Sequence, residues 1–184
     1  MIKKLFDYLY YSFEFFSKYI PFFVMSYIKF HEFSVVKEIE MSDISPSDRI
    51  LHIGCGAIPY TSITISRKTG AKIIGIDYNP HVVNIAIEHL KRYNLSNLIK
   101  IEEGDGKSYN ISDFDVIIIS YGIDCQDSVL RHVIDSMKSG TRIILRRSST
   151  EKNEYIDSIL KEFSSYSCRM LLTQESILIF KKPK

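Results

Sequence analysis

The stretch HIGCGAIPYTS, His52 to Ser62, joins an apolar run, ILHI, to a segment that reads as a helix. Gly54 and Gly56 follow the run directly; without a β-carbon they admit positive φ and let a ligand approach the backbone. Pro59 stands where a dinucleotide fingerprint would place its third glycine. It suits the first turn of the following helix, where a missing N–H is no loss. On spacing alone the loop fits either a tight strand-to-helix turn or a ligand cradle.

Outward from the loop, short apolar runs alternate with amphipathic segments. ILHI, KIIGI, LIKIE, DVIIIS and RIILR have the length of buried strands, while TSITISRK, PHVVNIAIEHLKRY and SVLRHVIDSMKS carry helical spacing. Alternation of this kind implies right-handed crossovers and a parallel sheet covered on both faces. A helix over about Lys152 to Phe163 precedes RMLLTQ and SILIFKK, which a short turn separates, so the chain should end in an antiparallel hairpin at the sheet edge. The expected fold class is α/β and Rossmann-like: a mostly parallel, seven-stranded sheet, the Rossmann-like domain at 48–184 and a helical N-terminal cap at 1–47.

That cap has its own character, with thirteen of the 23 aromatic residues and no glycine before Ser47. Leu5, Leu9, Phe13, Phe16, then Phe23, Tyr27 and Phe30 fall at helical spacing; Pro21 should divide two helices, and a third, short one is expected over roughly Glu32 to Ile39. The longest uncharged run, Tyr19 to Ile28, has ten residues, against the ~20 that a membrane helix needs. The segment reads as soluble helix, serving as core, as a lid that brings His31 and Glu32 to an acceptor, or as a homodimer contact. The chain has 184 residues, 24 basic and 22 acidic side chains and a net charge of +2. Such a balance gives no large field to recruit nucleic acid, and no nucleic-acid partner is expected. Cys55, Cys125 and Cys168 share no metal-ligand spacing, so no metal is expected and a reduced, cytoplasmic setting fits.

In an open parallel sheet, ligands bind beyond the carboxyl ends of the strands where strand order reverses. Asp77 closes the second run, 21 residues past Gly56, near the offset of about 20 at which an acidic residue meets ribose hydroxyls. Asn79, just before Pro80, is the better helix cap, which leaves Asp77 for a ligand. EEGDG places Asp105 and Gly106 after the third run, and SYGIDC places Tyr121 and Asp124 after the fourth.

Taken in order, the G-C-G loop, GID, EGDG, FDVIIIS and SGTRIIL resemble the class I S-adenosylmethionine-dependent methyltransferases from about Arg49 to Lys182. The resemblance implies S-adenosyl-L-methionine as cofactor. Gly54, Cys55 and Gly56 would face its methionine part, Asp77 its ribose, Tyr78 the adenine ring, and Asp105 with Gly106 the adenine edge. That family commonly has an acidic residue where this chain has His52, and often a third glycine where it has Ile58. His52 is read as a hydrogen-bonded core histidine at a strand end. The string G-x-G-x-x-P-x-T-S, which adds Pro59, Thr61 and Ser62, is similar to the loop of nicotianamine synthases, which transfer an aminocarboxypropyl group and release methylthioadenosine. Methyl transfer to a small-molecule acceptor leads, with that transfer and a non-catalytic cofactor-binding module as alternatives. Tyr121 and Asp124 are the candidates to orient the acceptor or take its proton. Arg146 and Arg147, read as following the fifth strand, could fork an acceptor carboxylate.

Overall fold

The computed structural model describes residues 21–92, 94–150, 153–169 and 174–180. The helix expected before Pro21 lies outside them, as do Met170 to Thr173 and the basic tail from Lys181.

Helix α1 spans Pro21–Ser42. The chain then forms β1 Arg49–Ile53, α2 Tyr60–Thr69, β2 Lys72–Asp77, α3 Pro80–Arg92, β3 Ile99–Glu103 and β4 Val116–Ile119. α4 Gln126–Ser136, β5 Arg142–Ser148, α5 Glu154–Glu162, β6 Ser164–Arg169 and β7 Gln174–Phe180 complete it. The strands form one sheet in the order β3-β2-β1-β4-β5-β7-β6, parallel through β5 and antiparallel at β7 and β6. This is the mostly parallel seven-stranded sheet with a terminal hairpin that the run order implies. Strand order reverses between β1, which pairs β2 and β4, and β4, so the loops after β1 and β4 open side by side.

Side chains alternate along the buried strands and pack on both faces of the sheet. Leu51, Ile53, Ile117, Ile119, Ile143 and Leu145 pack with α4 and α5 on one face. Ile50, Ile73, Val116, Ile118 and Ile144 meet α1 and α2 on the other. Each fully buried Ile or Leu contributes roughly 1.5–3 kcal/mol relative to leaving it exposed.

Two elements differ from the sequence expectation. The separate helix over Glu32 to Ile39 is absent; α1 runs on as one rod of 22 residues. No glycine or proline interrupts residues 22–45, and Pro21 stands at the helix start, where its missing donor costs nothing. Strand β6 lies earlier than RMLLTQ, as the polar SSYSCR paired from Ser164↔Phe180 to Arg169↔Glu175. An edge strand satisfies its backbone through one neighbour and does not need an apolar run. Among the described residues no helix is long and apolar enough to cross a membrane.

Candidate functional site

The glycine loop leaves β1 at the switch point. Gly54 and Gly56 adopt φ of +73° and +69°, a region that side-chain-bearing residues rarely occupy. A β-carbon on Gly54 would collide with the Ile123 side chain from the loop after β4. The Gly54 and Cys55 N–H groups both donate to the Ile76 carbonyl, at 2.9 and 3.0 Å, which pins the loop to β2. Helix α2 begins at Tyr60, so Pro59 flanks it as the cap residue and does not lie in its first turn; its carbonyl accepts from the Ile63 N–H at 2.9 Å. Thr61, in the first turn, has a buried Oγ1 without a hydrogen-bond partner.

One strand away, Asp77 accepts from the Gly56 N–H at 3.2 Å and from the Asn79 N–H at 3.1 Å. Asn79 is the cap, its Oδ1 accepting from the His81 N–H at 3.0 Å. Burial pushes the Asp77 carboxyl above its usual value, while the N–H donors of Asn79, Gly56 and Tyr78 oppose that shift. Tyr78 beside it is 62% exposed, a large ring left open next to the loop. Asp105 lies exposed at the end of β3, where its Oδ1 accepts from the Lys107 N–H at 2.9 Å, and Gly106 is buried against Ile53. Gly54, Cys55, Gly56, Asp77, Tyr78, Asp105 and Gly106 thus gather at the carboxyl ends of β1, β2 and β3.

The loop after β4 adjoins a cleft of about 310 Å³ lined by Tyr121, Gln126, Arg147, Ser148 and Asn153. Tyr121 is 45% exposed there; Asp124 is exposed in the same loop. Asp124 does not cap α4, since the flanking residue is Cys125, in the left-handed region with no side-chain cap. Gln126 clamps two strand ends, donating through Nε2 to the Ser120 carbonyl at 3.0 Å and the Arg146 carbonyl at 2.9 Å. A larger hollow, about 510 Å³, opens at the opposite strand ends among Arg49, Lys72, Lys100 and Phe114, far from the glycine loop.

Arg146 and Arg147 lie within β5 rather than after it, and neither is free for an acceptor. Arg146 is buried and forks Glu38 of α1, Nε to Oε1 at 2.7 Å and Nη2 to Oε2 at 2.6 Å, with Nη1 donating to the Tyr60 hydroxyl at 3.1 Å. Arg147 pairs with Glu175 at 2.7 Å and Asp157 at 2.8 Å. Glu32 is likewise taken, by Lys68 at 2.8 Å. His31 stacks in a ring cluster with Tyr27 and Tyr60, at centroid distances of 4.5 and 4.7 Å, and burial, then the Arg146 charge, bring its pKa down to about 4.

His52 is the core histidine expected, held at 2.9 Å from Ser62 Oγ through Nδ1 and at 2.8 Å from Ser120 Oγ through Nε2. Desolvation, then the Arg146 charge, lower its pKa from 6.5 to about 3. A base depressed in the fold is neutral there and protonated in the unfolded chain. Its stabilising contribution is therefore complete above about pH 6.5 and is lost as pH falls toward 3. Urea unfolding should show stability dropping below pH 6.5, with His52 adding up to ~1.4 kcal/mol per pH unit. Equal stability at pH 4.5 and pH 7 would contradict a buried neutral ring.

Glu38, Ser120, Gln126 and Ser176 were not singled out from sequence. Glu38 carried a signal, since it shares helical spacing with the buried Val35 and Ser42. Ser176 Oγ donates to its Oε1 at 2.6 Å.

A family model described as a methyltransferase domain matches residues 44–180. A demethylmenaquinone methyltransferase of Lactobacillus johnsonii is 24% identical over 135 residues, covering 67% of this chain and 55% of that protein. The chain spans about half the length of the curated relatives it matches. Among solved structures, an RNA methyltransferase from Salinibacter ruber in complex with S-adenosyl-L-homocysteine superposes with a TM-score of 0.64 at 18% identity, covering 82% of this chain and 92% of that one. MtNAS in complex with MTA and tNA, a nicotianamine synthase, gives a TM-score of 0.70 at 19% identity over 85% of this chain and 62% of its own.

Proposed function

The chain belongs to the methyltransferase-domain family, and from that premise we propose that it is an S-adenosyl-L-methionine-dependent methyltransferase acting on a small-molecule acceptor. The carrying observation is the placement of Asp77, one strand from two positive-φ glycines at the switch point, with the exposed Tyr78 ring beside it. Asp77 would accept from the ribose hydroxyls, Tyr78 would lie on adenine, and Asp105 with Gly106 would meet the adenine edge. Gly54, Cys55, Gly56, Pro59 and Thr61 would hold the methionine part, the unpartnered Thr61 hydroxyl being available to it.

Bound S-adenosylmethionine supplies an activated sulfonium carbon. What remains for the protein is alignment, which can account for about 7–11 kcal/mol of barrier. Tyr121 and Asp124 orient the acceptor, and of the two the Asp124 carboxylate is the group that can take its proton. Tyr121→Phe and Asp124→Asn should each lower turnover about tenfold or more while leaving S-adenosylmethionine affinity within twofold. Steady-state kinetics beside calorimetry would check this, and full activity in both variants would remove them from the acceptor side. We place the protein in the cytoplasm and assign α1 to the fold's cap.

A second reading is aminocarboxypropyl transfer, favoured by the G-x-G-x-x-P-x-T-S loop and the likeness to the MTA-bound MtNAS structure. The nucleoside released under turnover tests both readings. Adenosylhomocysteine marks methyl transfer and methylthioadenosine the alternative; binding without either product would mark a non-catalytic module.

A further inference from the structure

The imidazole of His52 bridges three elements beside the glycine loop. It projects from β1, meets Ser62 in the first turn of α2, and meets Ser120 at the end of β4. All three residues are buried. Ser62 lies six residues past Gly56, in the helix that the glycine loop leads into. Ser120 precedes Tyr121, and its Cβ lies 3.4 Å from where a β-carbon on Gly54 would stand. The loop assigned to the cofactor and the loop assigned to the acceptor are therefore tied through one ring.

The chemistry of the ring gives that tie a direction. A neutral imidazole carries one N–H and one bare nitrogen, so it donates to one serine hydroxyl and accepts from the other. A carboxylate in its place would only accept, and both hydroxyls would have to point at it. Burial first, and then the buried Arg146 guanidinium paired with Glu38, disfavour a positive charge on the ring and keep it neutral. An apolar side chain at this position would leave both buried hydroxyls to find other partners.

Resting on the cofactor reading above, we propose that His52 is a positioning residue that sets the glycine loop against the acceptor loop through this polar bridge. It touches neither reactant. Its effect passes through Ser62 to the cofactor side and through Ser120 to the acceptor side.

The test is a double-mutant cycle read by calorimetric titration with S-adenosylhomocysteine, which needs no acceptor. Ser62→Ala, Ser120→Ala and the double variant are compared in the wild-type and His52→Leu backgrounds, with thermal midpoints recorded. In the wild-type background each serine substitution should weaken binding about threefold to tenfold, with the double variant less affected than the product of the singles. With His52→Leu the serine substitutions should have no further effect beyond twofold. If His52→Leu does not fold, His52→Phe, nearer the imidazole in shape and without either ring nitrogen, takes its place with the same expectation. The second readout is the pair of ring ¹⁵N resonances of His52. They should report one neutral tautomer from pH 5 to 9 and shift when S-adenosylhomocysteine is added, a shift lost in Ser120→Ala. Serine effects of equal size in both backgrounds, or ring resonances indifferent to the ligand, would overturn the bridge while leaving the cofactor reading intact. Failure of the wild type to bind the ligand would overturn the cofactor reading, and the bridge with it.

Discussion

Glu38→Ala should cost the fold about 3–5 kcal/mol, because it strands the Arg146 cation where water cannot reach it. Both side chains are nine-tenths or more buried, and the pair is bidentate. The substitution also leaves Ser176 Oγ without the carboxylate it donates to. For a domain of this size the thermal midpoint should fall by roughly 6–20 °C, measurable by circular dichroism. Replacing both partners by apolar residues, Glu38→Leu with Arg146→Met, should recover much of the loss, since a packed apolar pair needs no charge compensation. A Glu38→Ala midpoint within two degrees of wild type would mean that α1 is not anchored to β5 by this pair.

Asp77→Ala should weaken S-adenosylmethionine binding at least tenfold, about 1.4 kcal/mol, with the fold intact. The carboxylate has two assigned tasks: it accepts from the Gly56 N–H, which shapes the loop, and it would accept from the ribose. Asp77→Asn keeps an acceptor for Gly56 yet loses the charge that strengthens bonds from ribose hydroxyls, so it should fall between wild type and alanine. Burial raises the Asp77 pKa, so ionising the carboxyl costs more in the fold than in the unfolded chain, a cost that appears as pH rises through the folded-state value. Ligand hydroxyls donating to the carboxylate offset this cost. Affinity should therefore decline on acidification through the Asp77 pKa and hold steady above it. Calorimetry across pH 4–8 reads the trend, and unchanged affinity in Asp77→Ala would sink the ribose assignment.

Much of this site was legible because its residues sit at strand ends, where type and spacing carry meaning. The Ile-rich runs of β1, β2, β4 and β5 have the length and β-branched content of buried strands, and the glycine pair begins directly after β1 while Asp77 is the last residue of β2. What escaped depends on partners distant in sequence. Arg146 and Glu38 are 108 residues apart, and nothing local to RIILRRS tells a ligand-binding arginine from one neutralised by a helix. Strand β6 escaped because an edge strand of serines has no apolar period, while the more apolar RMLLTQ drew the expectation past it. The role of His52 was half visible: a histidine between Leu51 and Ile53 had to be satisfied, but which hydroxyls satisfied it was a matter of the fold.

The most direct measurement is calorimetric titration of the purified protein with S-adenosylmethionine, with NAD as the control titrant. Micromolar, one-to-one binding of S-adenosylmethionine and none of NAD is the expected result. Binding of NAD alone, or of neither ligand with the protein folded, would contradict a methyltransferase cofactor site at the carboxyl ends of β1 and β2.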